Sequence, residues 1–248
     1  MGIIYIGDRA TGKTHLATEL ANPSNNRYVN VMRPDYDTLK VELYGGGDKP
    51  KPTPFQGDLR EMAVQVRLPS GAKTVAVDWI DTSGEIWRPS YQEGNQQEWK
   101  DFLNKVRSSE GILLILPPYR DIVKPDYADD FMTRQQWCNR FDRWAQFFSY
   151  DCPNAKHILI CLNKADLLKS VDLQREGLKL AYEPGGTQMN WQQRHMYVLN
   201  QYFRPIQSQL QLINRQVSGS SVRCFMTSIH NRSLLELPWI YLGSFLAQ

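Results

Sequence analysis

Residues Gly7-Asp8-Arg9-Ala10-Thr11-Gly12-Lys13-Thr14 read G-x-x-x-x-G-K-[ST], and no other stretch restricts the fold so tightly. The pattern works only as a loop between a strand and a helix. Ile3-Ile4-Tyr5-Ile6 before it is a short apolar run fit for a buried strand, and His15-Leu16-Ala17-Thr18-Glu19-Leu20 after it can open a helix. Between such elements the glycines let the backbone curl until its N–H groups point inward at phosphate oxygens. The helix N-terminus adds the positive end of its dipole. Lys13 would then reach the terminal phosphates, and the Thr14 hydroxyl would bind Mg²⁺. His15, the next residue, belongs to the same candidate nucleotide site.

The rest of the chain alternates strands and helices. The first helix should end near Ala21-Asn22-Pro23, because proline cannot continue it. Tyr28 to Val31 is a short strand or an extended loop. Arg33 to Gln56 is punctuated by Pro34, Gly45-Gly46-Gly47, Pro50, Pro52 and Pro54, and reads as a long loop. Leu59 to Leu68 and Thr74 to Ile80, joined by Pro69-Ser70-Gly71, form an antiparallel hairpin. Helical spacing follows over Gln92 to Ser109. Gly111 to Leu116 and His157 to Leu162 are continuous apolar runs, typical of parallel strands covered on both faces. Between them, Tyr119 to Asp130 looks like loop and Gln135 to Tyr150 like a helix. The helix carries an apolar stripe of Trp137, Phe141, Trp144, Phe147 and Phe148, which reads as core. Leu167 to Ala181 is helical in character, and Trp191 to Val217 is a second long helix kinked at Pro205. Val222 to Met226 is a strand, and Leu234 to Leu246 closes the fold as a helix. This alternation predicts an α/β fold: a doubly wound, mostly parallel sheet.

Bulk properties narrow the class further. The 248 residues suit one domain, 1–248, with an elaboration and no linker. With 29 Lys+Arg against 26 Asp+Glu the net charge is +3, which gives no case for nucleic acid as a partner. Cys138, Cys152, Cys161 and Cys224 contain no Cys-x-x-Cys pair, and Cys161 and Cys224 sit in apolar runs as core thiols. A reducing, cytoplasmic setting follows. There is no signal segment, and no apolar run approaches the ~20 residues of a spanning helix, so no transmembrane segment is expected.

Two later motifs give the loop its chemistry. Asp81-Thr82-Ser83-Gly84 follows an apolar strand. At a strand's carboxyl end, Asp81 can hold Mg²⁺ through water and Gly84 can offer its N–H to a γ-phosphate. Asp78, in the same strand, is a lesser candidate and reads as a structural acid. Asn163-Lys164-Ala165-Asp166 is the N-K-x-D pattern at the end of another strand. An Asp166 carboxylate can accept hydrogen bonds from the N1–H and 2-amino group of guanine, while adenine lacks that donor pair. The Lys164 stem can lie along the base plane.

On these three motifs, in this order, the chain resembles the Ras-like branch (TRAFAC class) of P-loop GTPases. Thr227-Ser228-Ile229 resembles, loosely, the family's last base-contacting loop. There is also a general likeness to GTPases of bacterial signalling or defence gene clusters, which no motif carries. The resemblance covers roughly 1–170 and 220–248; the helical insertion at about 182–217 and the loop near 117–132 are extra. It implies a G domain that binds GTP and GDP with Mg²⁺ as cofactor, hydrolyses GTP slowly without a partner, and works as a molecular switch. It also implies that Leu167, Ser228 and Ile229 join the nucleotide site. A protein effector or companion subunit follows from the same likeness.

Three positions depart from the family. Glu85 stands where many members carry a water-orienting glutamine, and it adds negative charge beside the γ-phosphate. Arg9 replaces a glycine and can act as an arginine supplied in cis, or point to solvent. Thr38 and Thr53 both compete for the switch position that meets Mg²⁺; Thr53 stands at the better distance before the second strand. The candidate catalytic set is therefore Lys13, Glu85 and Arg9, and the candidate metal set Thr14, Thr53 and Asp81. A non-catalytic GTP-binding adaptor is the alternative, motivated by Glu85 and Arg9. A P-loop kinase for a small molecule is a second rival, and N-K-x-D argues against it. His195 reads as a helix-surface residue. Trp191, Tyr197 and Tyr202 could dock a partner, although core plus solvated face is the reading that composition favours.

Overall fold

A computed structural model describes residues 2–8, 10–45, 47, 58–81, 93–185, 189–217 and 219–246. The apolar run before the glycine loop is strand β1, Ile3–Gly7, with every residue buried. Helix α1, Lys13–Ala21, follows the loop. Then come β2 (Val29–Arg33), α2 (Tyr36–Tyr44), β3 (Asp58–Leu68), β4 (Gly71–Asp81) and α3 (Gln96–Ser108). The second half runs β5 (Gly111–Leu116), α4 (Arg134–Asp151), β6 (His157–Leu162), α5 (Leu173–Leu180), α6 (Trp191–Tyr202), α7 (Gln207–Gln216), β7 (Ser221–Met226) and α8 (Arg232–Phe245). One seven-stranded sheet has the order β2-β3-β4-β1-β5-β6-β7. From β4 to β7 the neighbours are parallel; β2–β3 and β3–β4 are antiparallel.

The reasons lie in the sequence. β5 and β6 are the uninterrupted apolar runs, and they occupy positions covered on both faces. The β3–β4 hairpin alternates, with Met62, Val64 and Val66 buried beside more exposed neighbours. The aromatic stripe of α4 is core: Trp137, Phe141, Trp144, Phe147 and Phe148 are all buried.

The stretch from Arg33 to Gln56 is not all loop, for it contains α2. Asp35 caps that helix, its carboxylate accepting the Thr38 N–H at 2.8 Å. Leu39 and Leu43, four residues apart, are its buried face. Gly45, left-handed at φ 61°, closes it. Pro34 and the glycines bound this helix; they do not prevent it. Farther on, the helix expected from Leu167 begins only at Leu173, where the Asp172 carboxylate accepts from the Gln174 and Arg175 N–H groups. Two 3₁₀ turns, Arg120–Ile122 and Pro125–Asp130, structure the loop near 117–132.

The 182–217 stretch packs on the sheet. Trp191 stacks on Tyr182 (5.9 Å between ring centres, 10° between planes) and meets Tyr241 edge-on. Tyr197 and Tyr202 are likewise half-buried against the core, so the trio does not form an exposed docking face. Arg194 is buried and donates to the Leu180 and Ala181 carbonyls. His195 is the clearest correction. It is buried, and its Nδ1 accepts the Cys224 N–H at 3.0 Å. That bond needs a neutral ring, and burial with Arg223 nearby lowers its pKa to about 4.

Candidate functional site

The site forms where β1, β6 and β7 end. Gly7 closes β1 opposite Ile115 of β5. A Cβ on Gly7 would collide with the Ile115 carbonyl oxygen. Gly7→Ala must therefore part the two strands, at about 1–3 kcal/mol. A lowered midpoint in thermal unfolding is the expected result; an unchanged midpoint would show that the strand spacing can yield.

Beyond Gly7 the loop folds on itself. The Thr11 hydroxyl donates to the Asp8 carbonyl at 2.9 Å. Lys13 is buried, and its ammonium donates to the carbonyls of Gly7 (2.8 Å) and Asp8 (3.0 Å). The cation is thus held against the backbone of its own loop. Ala10 and Gly12 are left-handed, at φ 61° and φ 88°. Asp8 is buried, with the Arg140 guanidinium 3.6 Å from its Oδ2. Burial raises the Asp8 pKa, and Arg140 and Lys13 pull against that shift. Thr14 is partly buried in the first turn of α1, beside Lys13.

The N-K-x-D segment meets this loop directly. The Asn163 side chain donates to the Thr11 carbonyl at 2.7 Å and accepts from the Thr227 hydroxyl at 3.2 Å. A Cβ on Gly12 would crowd the Asn163 amide at 2.7 Å, so the second loop glycine is required by this close approach. Asp166 accepts the Ser228 hydroxyl through Oδ1 at 2.5 Å. The Ser228 oxygen in turn accepts the His230 N–H at 3.1 Å, so the hydroxyl links that backbone N–H to the Asp166 carboxylate.

Between the two motifs lies an open cavity of about 200 Å³, lined by Gly12, His15, Asn163, Lys164, Asp166, Leu167, Ile229 and His230. Seven of these are sequence candidates, and His230 is the addition. His15 stands exposed at the rim, its Nδ1 2.9 Å from the Tyr44 hydroxyl. Partial desolvation at the rim, with Lys164 nearby, lowers its pKa.

Other candidates fall elsewhere. Tyr5 pairs with Trp79, so two further steps along both strands bring the end of β4, Asp81, level with Gly7. Asp78 pairs with Ile4, well back from that end. Thr38 is exposed in the first turn of α2. Arg9, Thr53, Gly84 and Glu85 lie outside the described residues. Tyr44, Lys124, Phe131 and Arg140 were not candidates; each belongs to a segment whose position against the site only the tertiary fold reveals.

No family model matches the chain. It is similar to an ATP-dependent zinc metalloprotease FtsH of Magnetococcus marinus (strain ATCC BAA-1437 / JCM 17883 / MC-1), with 26% identity over 181 residues. The match takes in 70% of this chain and 24% of that protein, so the chain spans about a quarter of its relative's length. A mostly parallel seven-stranded sheet with a glycine loop at the carboxyl end of an interior strand fits a P-loop NTPase-like fold. Among the described residues no cluster of His, Cys, Asp and Glu could hold a metal ion, and no helix is long and apolar enough to cross a membrane.

Proposed function

We propose that this chain is a Mg²⁺-dependent GTP-binding protein that hydrolyses GTP and changes conformation with the nucleotide it holds. One observation carries the reading: Gly12 of the phosphate loop and Asp166 of N-K-x-D line a single cavity. A phosphate loop alone would serve any nucleotide. A carboxylate at the far wall, braced by Ser228, is a base reader suited to guanine. The antiparallel β3–β4 hairpin, with Asp81 at its end, supports a Ras-like G domain as the particular form of the fold.

The residues divide the work. The loop N–H groups and the α1 N-terminus hold the phosphates. Lys13 leaves the Gly7 and Asp8 carbonyls to meet the terminal phosphates. Thr14 and Asp81 come to the same edge of the sheet and, with Thr53, would hold Mg²⁺, which supplies charge neutralisation at the phosphates. Gly84 senses the γ-phosphate; Arg9 and Glu85 act beside it. A cytoplasmic location, and a protein effector or companion subunit that reads the nucleotide state, complete the reading.

The ATP dependence in the name of the metalloprotease points the other way. That protein's zinc chemistry has no counterpart motif here, since none of the four histidines begins an H-E-x-x-H sequence. Competition between GTP and ATP for a fluorescent guanine nucleotide decides the base; we expect GTP to bind at least about 100-fold more tightly. Single-turnover [γ-³²P]GTP hydrolysis decides catalysis. Tight GTP binding with no phosphate release above buffer would replace the enzyme with the non-catalytic adaptor.

A further inference from the structure

Lys164 occupies a left-handed backbone position, φ 60° and ψ 40°, that L-residues enter only at a cost. Something must hold it there. On one side β7 does: the Ala165 N–H donates to the Thr227 carbonyl at 3.1 Å. On the other side the chain from Pro117 to Phe131 runs against the segment after Lys164. The Lys124 N–H donates to the Leu167 carbonyl at 2.9 Å, and the Lys169 N–H to the Ile122 carbonyl at 3.0 Å. Val123 and Leu168 thereby form an isolated antiparallel bridge. The Lys124 ammonium adds a bond to the Asp166 carbonyl at 2.7 Å. At the far end of the same segment, the buried Phe131 presents its ring 5.3 Å from the Lys164 ammonium.

We propose that the 117–131 segment is a built-in brace for base recognition, with Phe131 the positioning residue that holds the Lys164 stem as a fixed wall of the cavity. Phe131 does not line the cavity; Lys164 does. Its effect must therefore pass through Lys164. A cation over a ring face is attracted by the ring quadrupole, and the attraction strengthens when water is kept away. With the stem held in place before the nucleotide arrives, binding avoids the loss of its rotamer freedom, and the advantage appears as slow release. The inference rests on the guanine reading of the cavity.

The test uses the full chain and two readouts. In the first, lysines are reductively methylated with ¹³C-formaldehyde, and the Lys164 resonance is assigned with Lys164→Met. The Phe131 ring should displace that resonance in the wild type and in Phe131→Tyr, and Phe131→Leu should abolish the displacement. In the second, release of fluorescent GDP is timed by stopped flow. Phe131→Leu should release it about fivefold faster, the scale of a partly buried cation–π contact. Phe131→Tyr should match the wild type, and Phe131→Leu should add nothing in a Lys164→Met background. Acceleration by Phe131→Leu that persists in that background would overturn the proposal, because the ring would then act by packing alone. Tight GDP binding with an undisplaced Lys164 resonance would overturn the brace and leave the GTP reading intact. A displaced resonance in a chain that binds no guanine nucleotide would overturn the GTP reading, and the role of Phe131 with it.

Discussion

Replacing Asp166 by asparagine is expected to exchange the nucleotide preference from GTP to XTP. The carboxylate offers two acceptors to the N1–H and 2-amino donors of guanine. An amide keeps one acceptor and turns the other into a donor facing a donor. Hydrogen bonds to charged groups contribute about 1.5–3 kcal/mol each; losing one, setting donor against donor in its place and removing the charge from the other together weaken GTP by at least about 100-fold. Xanthine carries a carbonyl at position 2 and accepts what the amide donates. The geometry also says which way the amide will lie. Ser228 already receives the His230 N–H and donates to Asp166 Oδ1, and placing the amide oxygen there keeps both bonds. The amide NH₂ is left facing the cavity. Ser228→Ala in the Asp166→Asn background should therefore blunt the gain for XTP, since the amide is free to turn over. Titration of GTP, XTP and ATP against wild type and both variants reads all of this at once. Asp166→Asn that still prefers GTP would remove Asp166 from base recognition and, with it, the main support for a guanine site.

The parts of this site visible in the sequence were those built from contiguous residues. The strand–loop–helix around Lys13 announces itself because glycine spacing and the flanking apolar run are local properties. The same holds for N-K-x-D after β6 and for the hairpin turn at Pro69-Ser70-Gly71. That the two motifs share a cavity depends on β1, β5, β6 and β7 lying side by side with their carboxyl ends together, which strand periodicity does not encode. α2 was hidden because its apolar face is only Leu39 and Leu43, between a proline and a glycine run. His195 was misplaced because a polar residue on a glutamine-rich helix looks solvated. Its partner is a backbone N–H in β7, twenty-nine residues away. Phe131 and Lys124 were invisible for the same reason: their role exists only where the 117–131 segment returns to touch Leu167 and Lys164.

The largest effect on stability is expected far from the cavity, at the other end of the helix that carries Lys13 and Thr14. Arg232, at the start of α8, donates to the Glu19 and Leu20 carbonyls at 2.6 and 3.0 Å. Both lie in the last turn of α1, where carbonyls lack their usual helical partners and a cation complements the helix dipole; the Glu19 carbonyl also accepts the Asn22 N–H at 3.2 Å. The same guanidinium reaches the Val29 carbonyl at 2.9 Å, Asn26 at 2.8 Å and Glu236 at 2.6 Å. Glu236 is 1% exposed and accepts the Arg27 and Tyr28 N–H groups, fixing the chain as it enters β2. Arg232→Ala leaves a buried carboxylate without its counter-charge and takes a donor away from three carbonyls. Breaking a buried pair from one side costs about 3–5 kcal/mol. Glu236→Gln should cost less, because one amide oxygen can still accept a backbone N–H and the Arg232 cation, deprived of its counter-charge, keeps its carbonyl acceptors and some contact with water. Arg232→Met combined with Glu236→Leu should be less harmful than the sum of its parts, the mark of direct coupling. Urea unfolding of these variants, with Arg232→Met and Glu236→Leu also taken singly, measures each term, and saturating GTP should recover part of the loss, since ligand binding to the folded state adds stability by mass action. A loss under about 1 kcal/mol for Arg232→Ala would mean that water replaces the guanidinium easily, and α1 would then owe its fixed position to packing alone.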